Sequence, residues 1–403
     1  MVKRLIILTL YIAGFCAAAQ EIAIVNGTVI TAGENGTVEN ATILIAEGKI
    51  VEVGEKVELP IGIEVIDASG KFITPGFIAA DTTLGLTEIN GRANANDDRS
   101  LTKTVTAGFD VRDAINPASS LFNIARLGGI TRAIVSPQTN RSLGQPFTGQ
   151  SAQLDLSDTE SLWSRSPVAV VMDYKSFVKN VGRGSALPLI NQHLANAAEN
   201  AINNALAPKQ DGANLVVLTT LFTDSVPLLI RADKAVDLKQ VARLKAQWNL
   251  NIVIQGAAEG WMVANTLSEM NIPVILDTYS SLPLDFDKLL VRKDNAAILS
   301  KAGVKVIIRA DKDGHFARNA RVYAGMAVAN GLSYDEALKG ITLYPAQVFG
   351  LIGLGTITQG NIADLVIWSG DPLEPLSQIE KLFIGGNAKS LTSRHLLLRD
   401  RYL

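Results

Sequence analysis

The chain has 403 residues, of which 47 % are hydrophobic and 19 % are charged, and this composition excludes a disordered chain. The length suits one large barrel or two to three ordinary domains. The formal net charge is -2, whereas proteins that bind nucleic acid need clustered lysine and arginine. We therefore expect no nucleic-acid partner.

Residues 1–19 have the pattern of a signal peptide. A basic start is followed by an apolar run from Leu5 to Phe15, and Ala17, Ala18 and Ala19 precede Gln20 as a cleavage site of small residues. The run is too short for a membrane anchor, which needs about 20 apolar residues. We expect a periplasmic or secreted protein with no integral membrane segment after cleavage. The single cysteine lies inside this segment, so the mature chain has no thiol.

Short strands bounded by glycine and asparagine follow, in residues 20–72. Strands of the same kind occur near the other end, in residues 357–403, where Ala363–Trp368 and Lys381–Ile384 are short, mainly apolar strands with glycine turns. We predict that the two segments combine into one small β-sandwich domain.

The middle of the chain alternates apolar strands with amphipathic helices. The pattern is clearest between Val226 and Ile308, where four apolar strands alternate with three helical stretches. This rhythm predicts parallel βαβ units with right-handed crossovers, in either a barrel or a doubly wound sheet. Residues 145–213 show the least readable pattern.

Three segments resemble the amidohydrolase superfamily, which includes imidazolonepropionase-like and dihydroorotase-like hydrolases. Residues 65–78 resemble the entry into the first barrel strand, residues 341–351 the helix after the last strand, and residues 355–368 the return into the β-domain. The resemblance implies an α/β fold, with a (β/α)8 TIM barrel at residues 73–356 and a composite β-sandwich domain.

The resemblance also implies hydrolysis of C–N bonds in amides and cyclic amides by a metal-bound hydroxide, with zinc or another divalent metal as cofactor. At the positions where the family has metal-binding histidines, this sequence has other residues. Asp81 and Thr83 stand at the end of the first strand, and Arg231 stands at the fifth. Gly256 matches the sixth-strand position, or Gln255 if the alignment slips by one residue.

Asp311 matches the eighth-strand aspartate of the family and is our candidate catalytic residue. It has two interpretations, as a proton shuttle or as a partner that pairs with Arg231 across the barrel mouth. We take Arg231, His315 and Asp81 as candidate substrate-binding residues. His315 also has the simpler interpretation of a helix cap, and Arg231 suits an anionic group because guanidinium binds carboxylates well.

A transition-metal centre lacks ligands in this sequence. The three histidines are His193, His315 and His395, and no two of them have His-x-His or His-x-x-x-His spacing. We therefore predict no metal cofactor, with one alternative, an all-oxygen Mg²⁺ or Ca²⁺ site made by Asp81, Asp277 and Asp311.

Three functional classes stay open at this point. The chain is an amidohydrolase-like hydrolase with a degenerate metal site, a pseudoenzyme that binds a small molecule or a partner protein in the old active-site mouth, or a subunit that pairs with an active paralogue. We expect a small-molecule ligand or substrate in either of the first two classes. A homo-oligomer or a hetero-oligomer with the paralogue is compatible with all three.

Overall fold

The computed structural model describes residues 21–89, 92, 96–157, 163–203, 212–280, 282–283, 285–311 and 313–402, with the backbone alone for residues 163, 164, 394 and 395. The predicted signal peptide and the side chain of His395 therefore lie outside the described residues. The domain boundaries predicted at residues 72 and 357 stay predictions.

Two sets of strands account for the architecture. In chain order the described strands are β1 (Ile22–Ile30), β2 (Thr37–Ala46), β3 (Lys49–Gly54), β4 (Glu64–Asp67), β5 (Phe72–Pro75), β6 (Phe77–Thr82), β7 (Ile130–Val135), β8 (Phe147–Asp155), β9 (Trp163–Met172), β10 (Leu228–Ala232), β11 (Ile252–Gly256), β12 (Val274–Asp277), β13 (Val306–Arg309), β14 (Leu365–Trp368), β15 (Ile379–Ile384) and β16 (Asn387–Ala388).

Helices follow most of the barrel strands. In chain order the described helices are α1 (Leu121–Arg126), α2 (Tyr174–Val181), α3 (Arg183–Asn203), α4 (Gly212–Thr223), α5 (Ala235–Trp248), α6 (Ala264–Glu269), α7 (Asn295–Lys301), α8 (Ala320–Ala329), α9 (Tyr334–Lys339), α10 (Leu343–Val348) and α11 (Arg394–Tyr402). Among the described residues, none of these helices has both the length and the apolar content that a bilayer crossing requires.

Both ends of the described chain contribute to one β-rich domain, as the sequence predicted. Its sheet has the order β16-β15-β14-β5-β1-β2-β3, and β4 pairs with β1. β14 lies antiparallel to β5, with Leu365 opposite Pro75 and Trp368 opposite Phe72. Because side chains alternate across a strand, the apolar positions collect on one side and form a buried core that includes Ile24, Ile73 and Phe383.

The second sheet has the order β13-β12-β11-β10-β9-β8-β7-β6 and forms a nearly closed barrel, which confirms the predicted α/β barrel class. Alternate residues of its strands fill the interior, among them Ile78, Leu229, Val253, Ile275 and Ile307. The intervening residues belong to the core that packs beneath the helices. The next inward position along each strand therefore lies at the mouth of the barrel, at the carboxyl ends of the strands.

One barrel strand runs against the others. β8 is antiparallel to both β7 and β9, whereas β9 to β13 are parallel. The segments 136–146 and 156–162 that connect these strands contain no α-helix among their described residues. Short connections suit antiparallel neighbours, because a parallel crossover needs a dozen or more residues, usually with a helix.

A buried arginine fastens the barrel to the composite sheet. Arg132 on β7 donates from Nε to Oδ2 of Asp364 at 2.7 Å and from Nη2 to Oδ1 at 3.1 Å, and it also contacts the carboxylate of Asp155. Asp364 immediately precedes β14 and accepts the amide of Gly385 at 2.8 Å. Burial opposes the positive charge, but the two carboxylates outweigh it and raise the pKa of Arg132.

Four tyrosines, two buried and two partly buried, predict a loss of stability in alkali. Burial raises the pKa of Tyr174 and Tyr323 from 10.0 to about 12. Burial, followed by hydrogen bonds to Asp371 and Glu336, raises the pKa of Tyr334 and Tyr344. A raised phenol pKa means that folding favours the neutral form, so this stabilisation is complete below about pH 10 and is lost as the pH rises toward 12.

We expect the near-ultraviolet phenolate absorbance of these tyrosines to rise together with unfolding when the protein is titrated upward from pH 9. The urea-unfolded protein, titrated in parallel, serves as the control and should ionise near pH 10. Ionisation of all the tyrosines near pH 10 in the folded protein, with unchanged circular dichroism, would contradict the expectation.

Candidate active-site mouth

Arginine and glutamine occupy inward positions at the ends of neighbouring barrel strands. Arg231 on β10 pairs in register with Gln255 on β11, and Arg309 on β13 pairs with Asp277 on β12. Each lies two residues beyond an interior apolar residue of the same strand, so the period of two places these side chains at the mouth. The carboxyl ends of barrel strands are where TIM-barrel enzymes keep their active sites.

Asp81 reaches the same point because the backbone of β6 changes direction. Alternation from Ile78 and Ala80 would turn the Asp81 side chain away from the interior. Asp81 instead has a left-handed φ of +51°, and the pairing of β6 with β7 shifts register between Ala79 and Thr82. A non-glycine residue with positive φ is uncommon and is found often at functional sites. The result is a buried carboxylate that faces the opposite strands.

Asp81, Arg231 and Arg309 form a buried ion cluster, which we call the mouth cluster. Arg231 Nη2 lies 3.0 Å from Asp81 Oδ1 and also donates to the carbonyl of Pro137 at 2.9 Å. Arg309 Nη1 contacts the other carboxylate oxygen and donates to the carbonyl of Asp81 at 2.9 Å. One carboxylate thus meets two guanidinium groups, and the cluster has an excess of positive charge.

The predicted pairing of Arg231 with Asp311 is wrong, because Arg231 pairs with Asp81. β13 ends at Arg309, so Asp311 lies two residues beyond the strand, where its carboxylate accepts the amide of Asp313 at 3.2 Å. The sequence analysis did not identify Arg309. It lies two residues after the interior residue Ile307, and this spacing indicates a side chain at the mouth of the barrel. The catalytic role of Asp311 stays a prediction.

His315 is not bonded to the mouth cluster in the described part of the chain. It belongs to a 3-10 turn, Gly314–Asn319, that packs closely on the chain after β6, since a Cβ on Gly314 would lie 2.9 Å from Leu84 Cα. Among the described residues, no hydrogen bond or ion pair joins His315 to Asp81 or Arg231. Its proposed substrate-binding role stays a prediction.

Gln255 is the sixth-strand residue that faces the mouth. Gly256, the other candidate, has a φ of +110°, and a Cβ there would lie 2.6 Å from Asp233 Oδ1 and 2.9 Å from the carbonyl of Ala232. A histidine at position 256 would clash with both groups. The alternative alignment with a slip of one residue therefore agrees with the structure.

A lysine joins three segments at the rim of the mouth. Lys175 on α2 lies 2.6 Å from the Asp233 carboxylate and 3.2 Å from that of Asp285. Burial opposes its charge, but these carboxylates outweigh burial and raise the pKa of Lys175. The ion pairs connect α2, the end of β10 and the segment after β12 around the entrance.

A cavity of about 630 Å³ opens above the mouth cluster. Its wall includes Arg231, Gln255 and Arg309, and it has six basic side chains against two acidic ones. This volume is typical of a small-molecule site. A second cavity of about 180 Å³ adjoins it and is lined by Asp277, Asp311 and Arg309.

The side chains at the mouth do not fit a transition metal. A guanidinium cannot act as a ligand and repels a dication, and both oxygens of Asp81 are bound by arginines. Among the described residues, no group of three or more histidine, cysteine, aspartate or glutamate side chains could hold a metal ion. The alternative all-oxygen site is therefore wrong for these residues, since Asp81, Asp277 and Asp311 are not brought together.

Comparisons with known proteins agree on one kind of relative. A model of the Amidohydrolase family matches residues 250–391. The Amidohydrolase tasK of Hapsidospora irregularis is 20% identical over 387 residues, which cover 86% of this chain and 39% of that protein. The chain thus spans less than half the length of that relative.

Solved structures extend the comparison to the whole fold. The crystal structure of an amidohydrolase from Thermotoga maritima MSB8 has a TM-score of 0.81 and 25% identity, and the match covers 92% of this chain and 99% of that one. Molinate hydrolase has a TM-score of 0.56 and 17% identity, with 93% and 95% covered. At that lower identity, the second likeness concerns the fold alone.

Proposed function

This chain belongs to the amidohydrolase superfamily, and on that premise we propose that it binds a small molecule with an amide-type C–N bond at the barrel mouth. The relatives support a hydrolytic C–N bond function in general. Binding without metal-dependent turnover is the function that the mouth geometry supports best.

The observation that carries this proposal is the mouth cluster. The resemblance implies that a metal-bound hydroxide attacks the substrate in the family. Asp81 and Arg231 stand where the family has histidines that bind this metal. Here both oxygens of Asp81 are engaged by Arg231 and Arg309, which are themselves buried. The arginines supply fixed positive charge where the family would place a cation. They can hold an anionic or polarised oxygen, but they cannot generate hydroxide from water as a metal does.

Metal analysis of the purified protein tests the proposal. We expect less than about one tenth of an equivalent of zinc or manganese in folded protein, even when zinc is supplied during expression, because two guanidinium groups repel a dication. Added zinc should leave the thermal unfolding temperature unchanged, since a metal that does not bind the native state cannot stabilise it. Stoichiometric zinc that survives dialysis would overturn the proposal.

Turnover is the second candidate function, and the position of Asp311 favours it. Asp311 lines the smaller cavity, as do Asp277 and Arg309. There its carboxylate could accept a proton from water while Arg309 stabilises the developing oxyanion. Hydrolysis of succinimide or succinamate by the purified protein, abolished by Asp311→Asn, would establish this function. Equal turnover in the variant would remove Asp311 from it.

Export and oligomeric state stay proposals. We propose a periplasmic or secreted protein that forms a homo-oligomer or pairs with a histidine-complete paralogue. Co-purification of such a paralogue with the tagged protein would support pairing, and a single monomeric species at every concentration would contradict it.

A further inference from the structure

Two buried donors at the mouth lack acceptors. Arg309 is 8% exposed and Gln138 is 9% exposed, and both line the larger cavity. The Nε of Arg309 and the Nε2 of Gln138 are buried and have no hydrogen-bond partner among the described residues. Buried polar groups are almost always satisfied in folded proteins, because an unsatisfied one costs stability. Because both side chains line the same cavity, a ligand in that cavity is the natural source of the missing acceptors.

The acidic side chains near the cavity are already engaged. Asp233 pairs with Lys175, and Asp173 accepts the amide of Ser176 at 2.7 Å and its hydroxyl at 2.8 Å, so that it caps α2. Asp81 is held within the mouth cluster. These three carboxylates therefore form no ion pair with the remaining basic side chains of the cavity, although Lys288 has a favourable electrostatic interaction with the exposed Asp285.

Two of those basic side chains are more accessible than Arg309, since Arg141 is exposed and Lys288 is partly exposed. Arg141 and Lys288 line the cavity, and in the described part of the chain neither takes part in an ion pair. Positive charge is thus available both at the buried Arg309 and at the more exposed Arg141 and Lys288. Lysine and arginine bind carboxylate and phosphate oxygens with charge-assisted hydrogen bonds.

We propose that the small amide-type molecule bound at the mouth is a dianion with an anionic group at each end, and succinate serves as a probe of those two groups. One group accepts from Arg309 Nε and Gln138 Nε2, and the other meets Lys288 and Arg141. The inference rests on the proposed function, since it names the class of molecule bound at the same mouth. It adds a specificity role for Gln138, which no resemblance assigned.

Three four-carbon compounds separate charge from shape. Succinate, succinamate and succinamide have the same skeleton and carry two, one and no carboxylates. By isothermal titration calorimetry we expect the Kd to rise about tenfold or more at each step, because each loss removes a charge-assisted contact. Inorganic phosphate, which has one anionic centre, should compete with succinate but bind more weakly.

Variants at both ends of the cavity locate the binding. Gln138→Leu should weaken succinate about tenfold, because it leaves a carboxylate with one donor fewer. Lys288→Gln should weaken the binding of succinate. It should leave the binding of succinamate nearly unchanged, because the single carboxylate of succinamate would bind beside Arg309 and Gln138. Arg243→Gln is the matched control, because Arg243 is an exposed arginine on α5 outside the cavity. Circular dichroism and thermal unfolding confirm that each variant is folded.

The outcomes separate this inference from the proposed function. Equal binding of the three compounds overturns the dianion and leaves small-molecule binding in place. Failure of both succinate and phosphate to bind also overturns it. If Gln138→Leu and Lys288→Gln both leave succinate binding unchanged, succinate binds at a different site, and the dianion proposal is overturned as well. The metal content decides the proposed function independently.

Discussion

Replacing Arg132 with methionine should lower the free energy of unfolding by about 3–5 kcal/mol. The substitution retains most of the side-chain volume but removes the cation that two carboxylates share. Asp364 would be left 5% exposed, and among the described residues its carboxylate would keep the Gly385 amide alone as a partner. An unpaired buried charge is costly. Urea unfolding followed by tryptophan fluorescence and circular dichroism measures the loss.

The control for this change is Arg399→Met, because Arg399 pairs with Asp400 on the exposed helix α11. Exposed ion pairs contribute about 0–1 kcal/mol, so this variant should unfold almost as the parent does. The double variant with Arg132→Met and Asp364→Leu should recover part of the loss, since it removes the unpaired carboxylate as well. A loss below about 1 kcal/mol for Arg132→Met would show that Arg132 does not fasten the two domains.

Replacing Asp81 with alanine should be destabilising by a similar amount, about 3–5 kcal/mol, because it leaves Arg231 and Arg309 buried without their shared carboxylate. The variant also creates space of carboxylate size between the two guanidinium groups. Formate fits that space and supplies the missing oxygens. We therefore expect formate to raise the thermal unfolding temperature of the variant well above its effect on the parent protein.

Sodium chloride at the same ionic strength is the control for formate, since it screens charge without supplying paired oxygens. Asp294→Ala is the control variant, because Asp294 is an exposed carboxylate that pairs with Arg292 at the surface. Neither control should reproduce the loss or the rescue. An Asp81→Ala protein as stable as the parent would mean that the mouth cluster contributes nothing to folding.

Much of the fold could be predicted because burial and periodicity agree along most strands. β10 to β13 are apolar and alternate with helices, and β1 to β3 lie between clear turn residues. The sequence analysis did not predict β8 as an antiparallel strand, because its hydrophobicity pattern is not that of a buried strand. Thr148, Gln150, Ser151 and Gln153 are polar, yet the strand is buried along nearly its whole length. A polar but buried strand has neither an apolar run nor an alternation that the sequence could reveal.

The mouth could be predicted in part. Asp81 and Arg231 were found because they replace expected residues at strand ends, but their partnership depends on the left-handed backbone at Asp81, which no local pattern announces for an aspartate. Arg309 was detectable from its spacing after Ile307. Gln138 lies in the connection after β7. Outside a strand, the alternation of residues does not indicate where a side chain points, so only the tertiary structure shows that the Gln138 amide is buried.

The composite sheet also has a consequence for synthesis on the ribosome. One edge of β5 pairs with β1, but the other edge gains its partner β14 only after almost the whole barrel has been translated, roughly 290 residues later. An unpaired strand edge next to exposed apolar surface invites wrong association. Holdase chaperones that shield extended apolar segments should therefore associate with nascent chains of this protein until β14 has left the exit tunnel.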